Sequence, residues 1–380
     1  MALFKSNSTL VAFDYKNLNN FYFLNYIQSA NYEIKSNRIS AKHIGDSKQI
    51  QDQIIYPEIS LNLNYLQRAD FLNEFLFGIE FNADLIENDN FLKNIINDYY
   101  TNNIFILNSE NLNFDLKNLS YDDSMYVTSF GNVYLNSYAT SYKVGQIPSV
   151  SVSFLADDMR VSKIQKSNNI YTFLNWDGLQ KTLDNAKLNE IKNETYSIYE
   201  LNYLNNIKLN ANELASNSKT PSIILDTFSN GVIRSIDIDI PLNRNKFYFF
   251  NKTNKQASRK IILPITGTLN ISGYFTQFNL EELKNFFNSS IPFDLQFILN
   301  TSNEEMSRIK IEKIIVESFS YSVSINSMIE YSINCSFQIN NEYGLKIQRF
   351  LNPLEAKGFI SSDSFFLQTS DAFILDFLII

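Results

Sequence analysis

Val144-Gly145-Gln146-Ile147-Pro148-Ser149-Val150-Ser151-Val152-Ser153-Phe154 alternates strictly between apolar and polar residues once past its proline. A period of two belongs to a β-strand with one buried and one wet face. Pro148 stands at the strand start, where a missing N–H donor costs least, and Gly145-Gln146-Ile147-Pro148 reads as the connection from a preceding strand. The stretch 325–337 has the same character, with Ile329, Tyr331, Ile333 and Cys335 on one face. Two closing hairpins, over 133–154 and 314–337, therefore define the chain as mainly β.

Outward from these hairpins the chain repeats itself. Ile27-Gln28-Ser29 and Ile233-Arg234-Ser235 each lead into an alternating strand, with Arg38 and Arg244 following at equal distances. Tyr56-Pro57 and Leu61-Asn62-Leu63-Asn64-Tyr65-Leu66 echo Leu263-Pro264 and Leu269-Asn270-Ile271-Ser272-Gly273-Tyr274-Phe275. Phe105-Ile106-Leu107-Asn108-Ser109 returns as Phe297-Ile298-Leu299-Asn300-Thr301. Ser137-Tyr138 with Ser151-Val152-Ser153-Phe154 returns as Ser318-Phe319 with Asn334-Cys335-Ser336-Phe337. Four anchors in one order imply a tandem pair of like domains, an arrangement in which two copies of one surface stand in for two subunits of a ring.

A helix is expected between strands in each copy. In the first it covers 70–77, capped by Asp70, with Phe71, Phe75 and Leu76 on one face. In the second it covers 279–287, capped by Asn279, with Leu280, Leu283 and Phe287 as the core stripe. An inserted amphipathic helix over 88–100, with Phe91, Ile95, Ile96 and Tyr99 together, accounts for the greater length of copy one. The organisation expected is a first domain over 1–164, a polar linker or insertion over 165–220, a second domain over 221–350 and a C-terminal extension over 351–380. The segment 183–217 is charged and Asn-rich and reads as a long surface helix. Trp176, the one tryptophan, precedes it beside Asp177-Gly178 and reads as a plug over a turn.

Composition permits this and narrows the chemistry. Of 380 residues 44% are hydrophobic and 14% aromatic, enough for two cores and too much for wholesale disorder. The formal net charge is −8, and the nearest thing to a basic cluster, Lys252, Lys255, Arg259 and Lys260, reads as a solvated loop. Tight gripping of nucleic-acid phosphate is disfavoured. No apolar h-region opens the chain, and no stretch reaches the ~18–20 apolar residues that span a bilayer.

Catalytic signatures are missing. The one histidine, His43, sits in polar surroundings with no marked partner, and the one cysteine, Cys335, lies in an alternating strand and reads as a buried thiol. Cys/His zinc sites are excluded by count. The paired acids Asp122-Asp123, Asp157-Asp158, Glu281-Glu282 and Glu304-Glu305 fall at expected turns or helix starts, outside any calcium-loop pattern. Ten glycines, none in a phosphate-loop order, argue against a nucleotide site. No enzyme is expected, and no catalytic, cofactor or metal residue is assigned.

The stretch 137–154, with its Val144-Gly145-Gln146-Ile147-Pro148-Ser149 connection, and Ile233-Arg234-Ser235-Ile236-Asp237-Ile238-Asp239-Ile240-Pro241-Leu242-Asn243-Arg244 resemble the tail tube and related tail structural proteins of tailed bacteriophages. The resemblance spans both repeats and leaves the linker and tail uncovered. It implies two tandem β-sandwich or barrel-like domains (mainly β, α+β), each with a flanking helix. It further implies a virion tail protein made in the host cytoplasm, whose domains join edge to edge. Two domains per chain would make a trimer that mimics a hexameric ring, stacked into a tube through which genomic DNA passes unbound. The partners implied are other copies of the chain and other tail, neck or baseplate proteins. The alternative is a β-sandwich receptor- or glycan-binding baseplate or neck protein, which the abundant tyrosine would suit.

Overall fold

The computed structural model describes residues 9–14, 21–24, 26–35, 38–42, 49–54, 58–68, 71–79, 95, 102–108, 125–167, 170–184, 203–209, 231–248, 257–275, 292–301, 305–323, 328–340 and 344–349. From the N-terminus run β1 (Thr9–Asp14), β2 (Phe21–Phe23), β3 (Ile27–Lys35), β4 (Arg38–Lys42), β5 (Gln49–Ile54) and β6 (Glu58–Leu66). A short helix, α1 (Leu72–Leu76), precedes β7 (Asn102–Asn108), β8 (Tyr126–Lys143), β9 (Ser149–Ala156) and β10 (Asp158–Lys163). A meander follows, β11 (Gln165–Ser167), β12 (Ile170–Leu174) and β13 (Gln180–Asp184). Then come β14 (Asn206–Leu209), β15 (Gly231–Pro241), β16 (Arg244–Tyr248), β17 (Ala257–Ile261) and β18 (Ile265–Phe275). The last are β19 (Phe293–Asn300), β20 (Glu305–Ser322), β21 (Ile329–Ile339) and β22 (Leu345–Arg349).

The described protein is almost entirely β. Eight strands lie side by side and antiparallel, in the order β3, β6, β9, the second half of β8, β15, β18, β21 and the second half of β20. Six strands also close on themselves as β14-β19-β20-β21-β18-β15, because Ile207 of β14 pairs Ile233 of β15. β8 and β20, eighteen residues each, are long enough to serve different neighbours in succession. β8 pairs β7 and β10 with its first half, then β9 and β15. β20 pairs β19 and β22 first, then β21. Each bends where one residue takes a left-handed φ, Asn132 at 50° and Lys313 at 55°.

Six of the pairings made within 9–163 have counterparts within 206–349. β1–β7, β7–β8, β8–β9, β9–β6, β6–β3 and β8–β10 correspond in order to β14–β19, β19–β20, β20–β21, β21–β18, β18–β15 and β20–β22. Register shifts fall at matching places: Ile27/Ser29 and Ile233/Ser235, Asn102/Ile104 and Phe293/Leu295, Leu135/Ser137 and Val316/Ser318. A bulge adds one residue and re-aims everything after it, so its place is a sensitive marker of register.

The main core lies on one face of the eight-stranded sheet. Tyr65, Val150, Thr140, Ile238, Leu269 and Cys335 stand opposite one another in a single buried row. The reverse face is wet, with Asn64, Ser151, Ala139, Asp239, Thr268 and Ser336 in the next row. Strict alternation in the sequence makes this division, and each large apolar side chain so buried is worth about 1.5–3 kcal/mol. A second, smaller core forms where the β11–β13 meander covers β1, β7 and β8. Phe173 meets Phe105 edge-on there at 5.4 Å, beside Ala12, Leu107 and Val127.

The helix expected over 70–77 is the five-residue α1; that over 279–287, and all of the one over 88–100 except the buried Ile95, lie outside the described residues. The long surface helix expected over 183–217 is overturned at 206–209. Asn206, Ile207, Lys208 and Leu209 are a strand, because their backbone completes the edge of β19.

α1 brings a carboxylate into the core. Glu74, 1% exposed, accepts a hydrogen bond from Gln67 Nε2 at 3.0 Å near the buried tyrosines 65, 138 and 142. Burial first, then the Glu74 charge, raises the Tyr65 hydroxyl well above its ordinary value. Burial and the neighbouring Tyr142 do the same for Tyr138, and burial raises Tyr142. Each tyrosine's stabilising contribution is complete below the unfolded value near 10 and is lost as pH rises above it, since only the unfolded chain ionises readily. Stability should therefore fall by up to about 1.4 kcal/mol per pH unit for each such group. Urea melts at about pH 9 and about pH 11 should show a smaller loss in Tyr142→Phe than in the parent protein. Equal losses would mean that this hydroxyl does not govern the alkaline limit.

Candidate assembly interface

Where the two halves meet, β15 of the second lies against the last part of β8 of the first. Seven pairs run from Ser235 opposite Lys143 to Pro241 opposite Ser137. On the core face Ile236, Ile238 and Ile240 oppose Tyr142, Thr140 and Tyr138, all buried. On the wet face Ser141 Oγ donates to the Asp237 carboxylate. The backbone contact continues at both ends: Val144 N donates to Arg234 O at 2.9 Å and Leu242 N to Asn136 O at 2.8 Å.

The β16–β17 hairpin clasps this joint. Arg244 Nε donates to Leu135 O at 2.6 Å and its Nη1 to Arg259 O at 2.9 Å, with the guanidinium 5.5 Å from the centre of the Tyr134 ring. Arg259 reaches into the first half, donating to Asp157 Oδ1 at 3.3 Å and to Ala156 O at 3.4 Å. Only 3% of the Arg259 side chain and 5% of the Asp157 side chain are exposed. This corrects one sequence reading. Arg259 is no solvated loop residue, because it and Asp157 neutralise each other in a site that water barely reaches.

The outer ends of the eight-stranded sheet contrast with this joint. Among the described residues, β3 has a strand only on its β6 side, and the second half of β20 only on its β21 side. Tyr32 and Ile34 stand where Ile238 and Ile240 stand in β15, yet they are 47% and 48% exposed against 1% and 0%. Tyr321 and Val323, at the places of Thr140 and Tyr142 in β8, are 49% and 63% exposed. All four belong to the core face of the sheet. A sheet edge with no neighbouring strand among the described residues, flanked by exposed apolar side chains, is a template for another strand.

Among the described residues, the others singled out in the sequence do not gather into a second site. His43, Asp122, Asp123, Glu281, Glu282 and Glu304 lie outside the described residues, as do Lys252 and Lys255. Cys335 is buried, with its thiol pushed up to about 12 by burial and by Glu317. Among the described residues no three of His, Cys, Asp and Glu are grouped to hold a metal ion. Trp176 closes the Asn175–Gly178 turn, its ring against Gly131 and its Nε1 donating to Asn103 Oδ1 at 2.9 Å. The sheet edges carried no sequence signal, since an edge is defined only by which strand is missing beside it.

At Glu312 the two halves differ in chemistry. Burial alone would raise the Glu312 carboxyl, but hydrogen bonds and charge from Lys346 and Lys310 outweigh it and hold the group below its ordinary value. At the matching bend of β8 stands Gly131, beside Asn132.

The described residues define an almost all-β protein, a long antiparallel sheet with a six-stranded barrel and outer strands. No family model matches the chain, and no curated protein matches it. Among solved structures similar to it is the SPP1 tail tube, determined by solid-state NMR and cryo-electron microscopy. That match covers 42% of this chain and 80% of the other, at 8% identity and a TM-score of 0.29. Among the described residues no helix is long and apolar enough to cross a membrane.

Proposed function

We propose that the chain is a structural virion protein, a subunit of a phage tail tube, built from two copies of one domain and devoid of catalysis. The observation that carries this reading is the joint between the halves. Two like sheets already meet edge to edge within one chain, and the same two kinds of edge remain at the outer ends. The sequence resemblance to tail tube proteins and the matching bulges of the two halves support it. Three chains would then supply six domains to a ring, and stacked rings would form a hollow conduit for DNA.

In that arrangement the wet face of the eight-stranded sheet lines the channel. By register it carries Glu33, Glu58, Asp237, Asp239 and Glu330 against Lys35 and Lys143, with Glu317 and Arg234 at the bulges. An excess of acids over a field of serine and asparagine would let a polyanion slide past without adhering.

Negative-stain electron microscopy of the purified protein tests the reading. Rings or stacked hollow tubes with threefold repeat are expected. A dispersed monomer at all concentrations would sink it and favour the binding-module alternative.

A further inference from the structure

The joint inside the chain is a worked example of a contact that the outer edges have yet to make. We infer that β3 of one chain pairs antiparallel with the second half of β20 of a second copy, in the register that β15 and β8 already use within one chain. This deepens the tube reading by naming the ring contact residue by residue, and it rests on that reading only for the closure of the ring.

The register follows from the bulges. Matching Ile27/Ser29 to Ile233/Ser235, and Leu135/Ser137 to Val316/Ser318, places Ile34 opposite Phe319, Tyr32 opposite Tyr321 and Ala30 opposite Val323. On the other face Lys35 falls opposite Ser318, Glu33 opposite Ser320 and Asn31 opposite Ser322. The inner neighbours β6 and β21 already fix which face each edge strand turns to the core, so a face-matched register sets apolar against apolar, and the bulges choose among such registers. Every apolar residue meets an apolar one, on the face where Ile236, Ile238 and Ile240 are buried at the internal joint. Every polar residue meets a serine, and Asn31 with Ser322 repeats the Ser141–Asp237 hydrogen bond in place. A slip of one residue would turn Tyr32 and Ile34 to face serines and forfeit all three apolar pairs. A second copy of the chain is thus the partner that fits, and a generic extended peptide is not required.

Paired cysteines read the register in the full-length protein. In register, opposed Cβ atoms lie about 4.5–5.5 Å apart, whereas partners two residues away are about 7–8 Å apart. The double variants Asn31→Cys/Ser322→Cys and Tyr32→Cys/Tyr321→Cys, at neighbouring pairs, sample both kinds of antiparallel site, and Asn31→Cys/Ser320→Cys is the slipped control. Under mild oxidation at least one in-register variant should form interchain disulfides about tenfold more than the control. Ile34→Lys should abolish association while Val161→Lys, equally exposed on β10, should not. Circular dichroism of each variant separates lost association from lost fold. Disulfides within single chains, equal cross-linking of the control, or a protein that stays monomeric and uncross-linked would overturn the inference. Rings by microscopy with slipped cross-links would sink this register and leave the tube reading standing. In-register cross-links in a protein that never closes a ring would do the reverse.

Discussion

Replacing Arg259 with methionine should destabilise the protein by about 3–5 kcal/mol, the usual cost of stripping one partner from a buried ion pair. The guanidinium is packed between the halves, where it serves Asp157 Oδ1 and Ala156 O and lies 3.8 Å from Glu58 Oε1. Its removal leaves the Asp157 carboxylate buried among groups arranged for a cation. Arg259→Met/Asp157→Asn should recover a large part of the loss, because the second change removes the stranded charge. Urea unfolding of the three variants measures this. A loss below about 1 kcal/mol in the single variant would show that water reaches the pair after all. Since the pair ties β17 to the turn after β9, the single variant should also broaden the transition as the halves uncouple.

Gly131→Ala should cost about 3 kcal/mol, at the upper end for overpacking. An added Cβ would stand 2.1 Å from Cδ2 of Trp176, well inside contact distance. The indole cannot swing clear cheaply, because its Nε1 is held by Asn103, itself 1% exposed. Either the ring leaves and strands a buried amide oxygen, or β8 bends where β10 pairs with it. Trp176 is the one tryptophan, so its fluorescence reports the outcome directly. A red shift with reduced stability is expected, and Trp176→Ala should largely remove the further penalty of Gly131→Ala. An unshifted spectrum with full stability would show that the plug has room.

What could be read from the sequence was whatever depended on period and on bulge-bearing anchors. Ile27-Gln28-Ser29 and Ile233-Arg234-Ser235 bracket equivalent register shifts, and Leu61 and Leu269 stand at equivalent places beside them. The third anchor is one residue out. By pairing, Asn108 opposite Tyr126 corresponds to Leu299 opposite Ser307, so Phe105 corresponds to Gln296 and not to Phe297. The string match failed there because β7 is buried on both faces and gives no alternation to fix its phase. β14 was hidden by its length: four residues cannot show a period, and Asn-rich surroundings suggested a helix surface. Arg259 was misread because its partner lies a hundred residues away in sequence, at Asp157. Which edges lie open could not be read from Tyr32, Ile34, Tyr321 or Val323, which look like ordinary core residues until no strand is found beside them among the described residues.

In the proposed ring the unlike ends of the eight-stranded sheet would give the chain a direction, like a link with a hook at one end and an eye at the other. A subunit spoiled at its β3 end still offers a sound β20 end, and the converse holds for one spoiled at β20. Two such cripples, mixed in equal amounts, would couple once and stop, giving a capped pair in place of a ring. A small share of either one, added to intact subunits, would be incorporated and would then halt growth, so that each faulty link costs its whole circle. Titrating one spoiled subunit into the intact protein would thus count the links per circle from the steepness with which closed assemblies disappear.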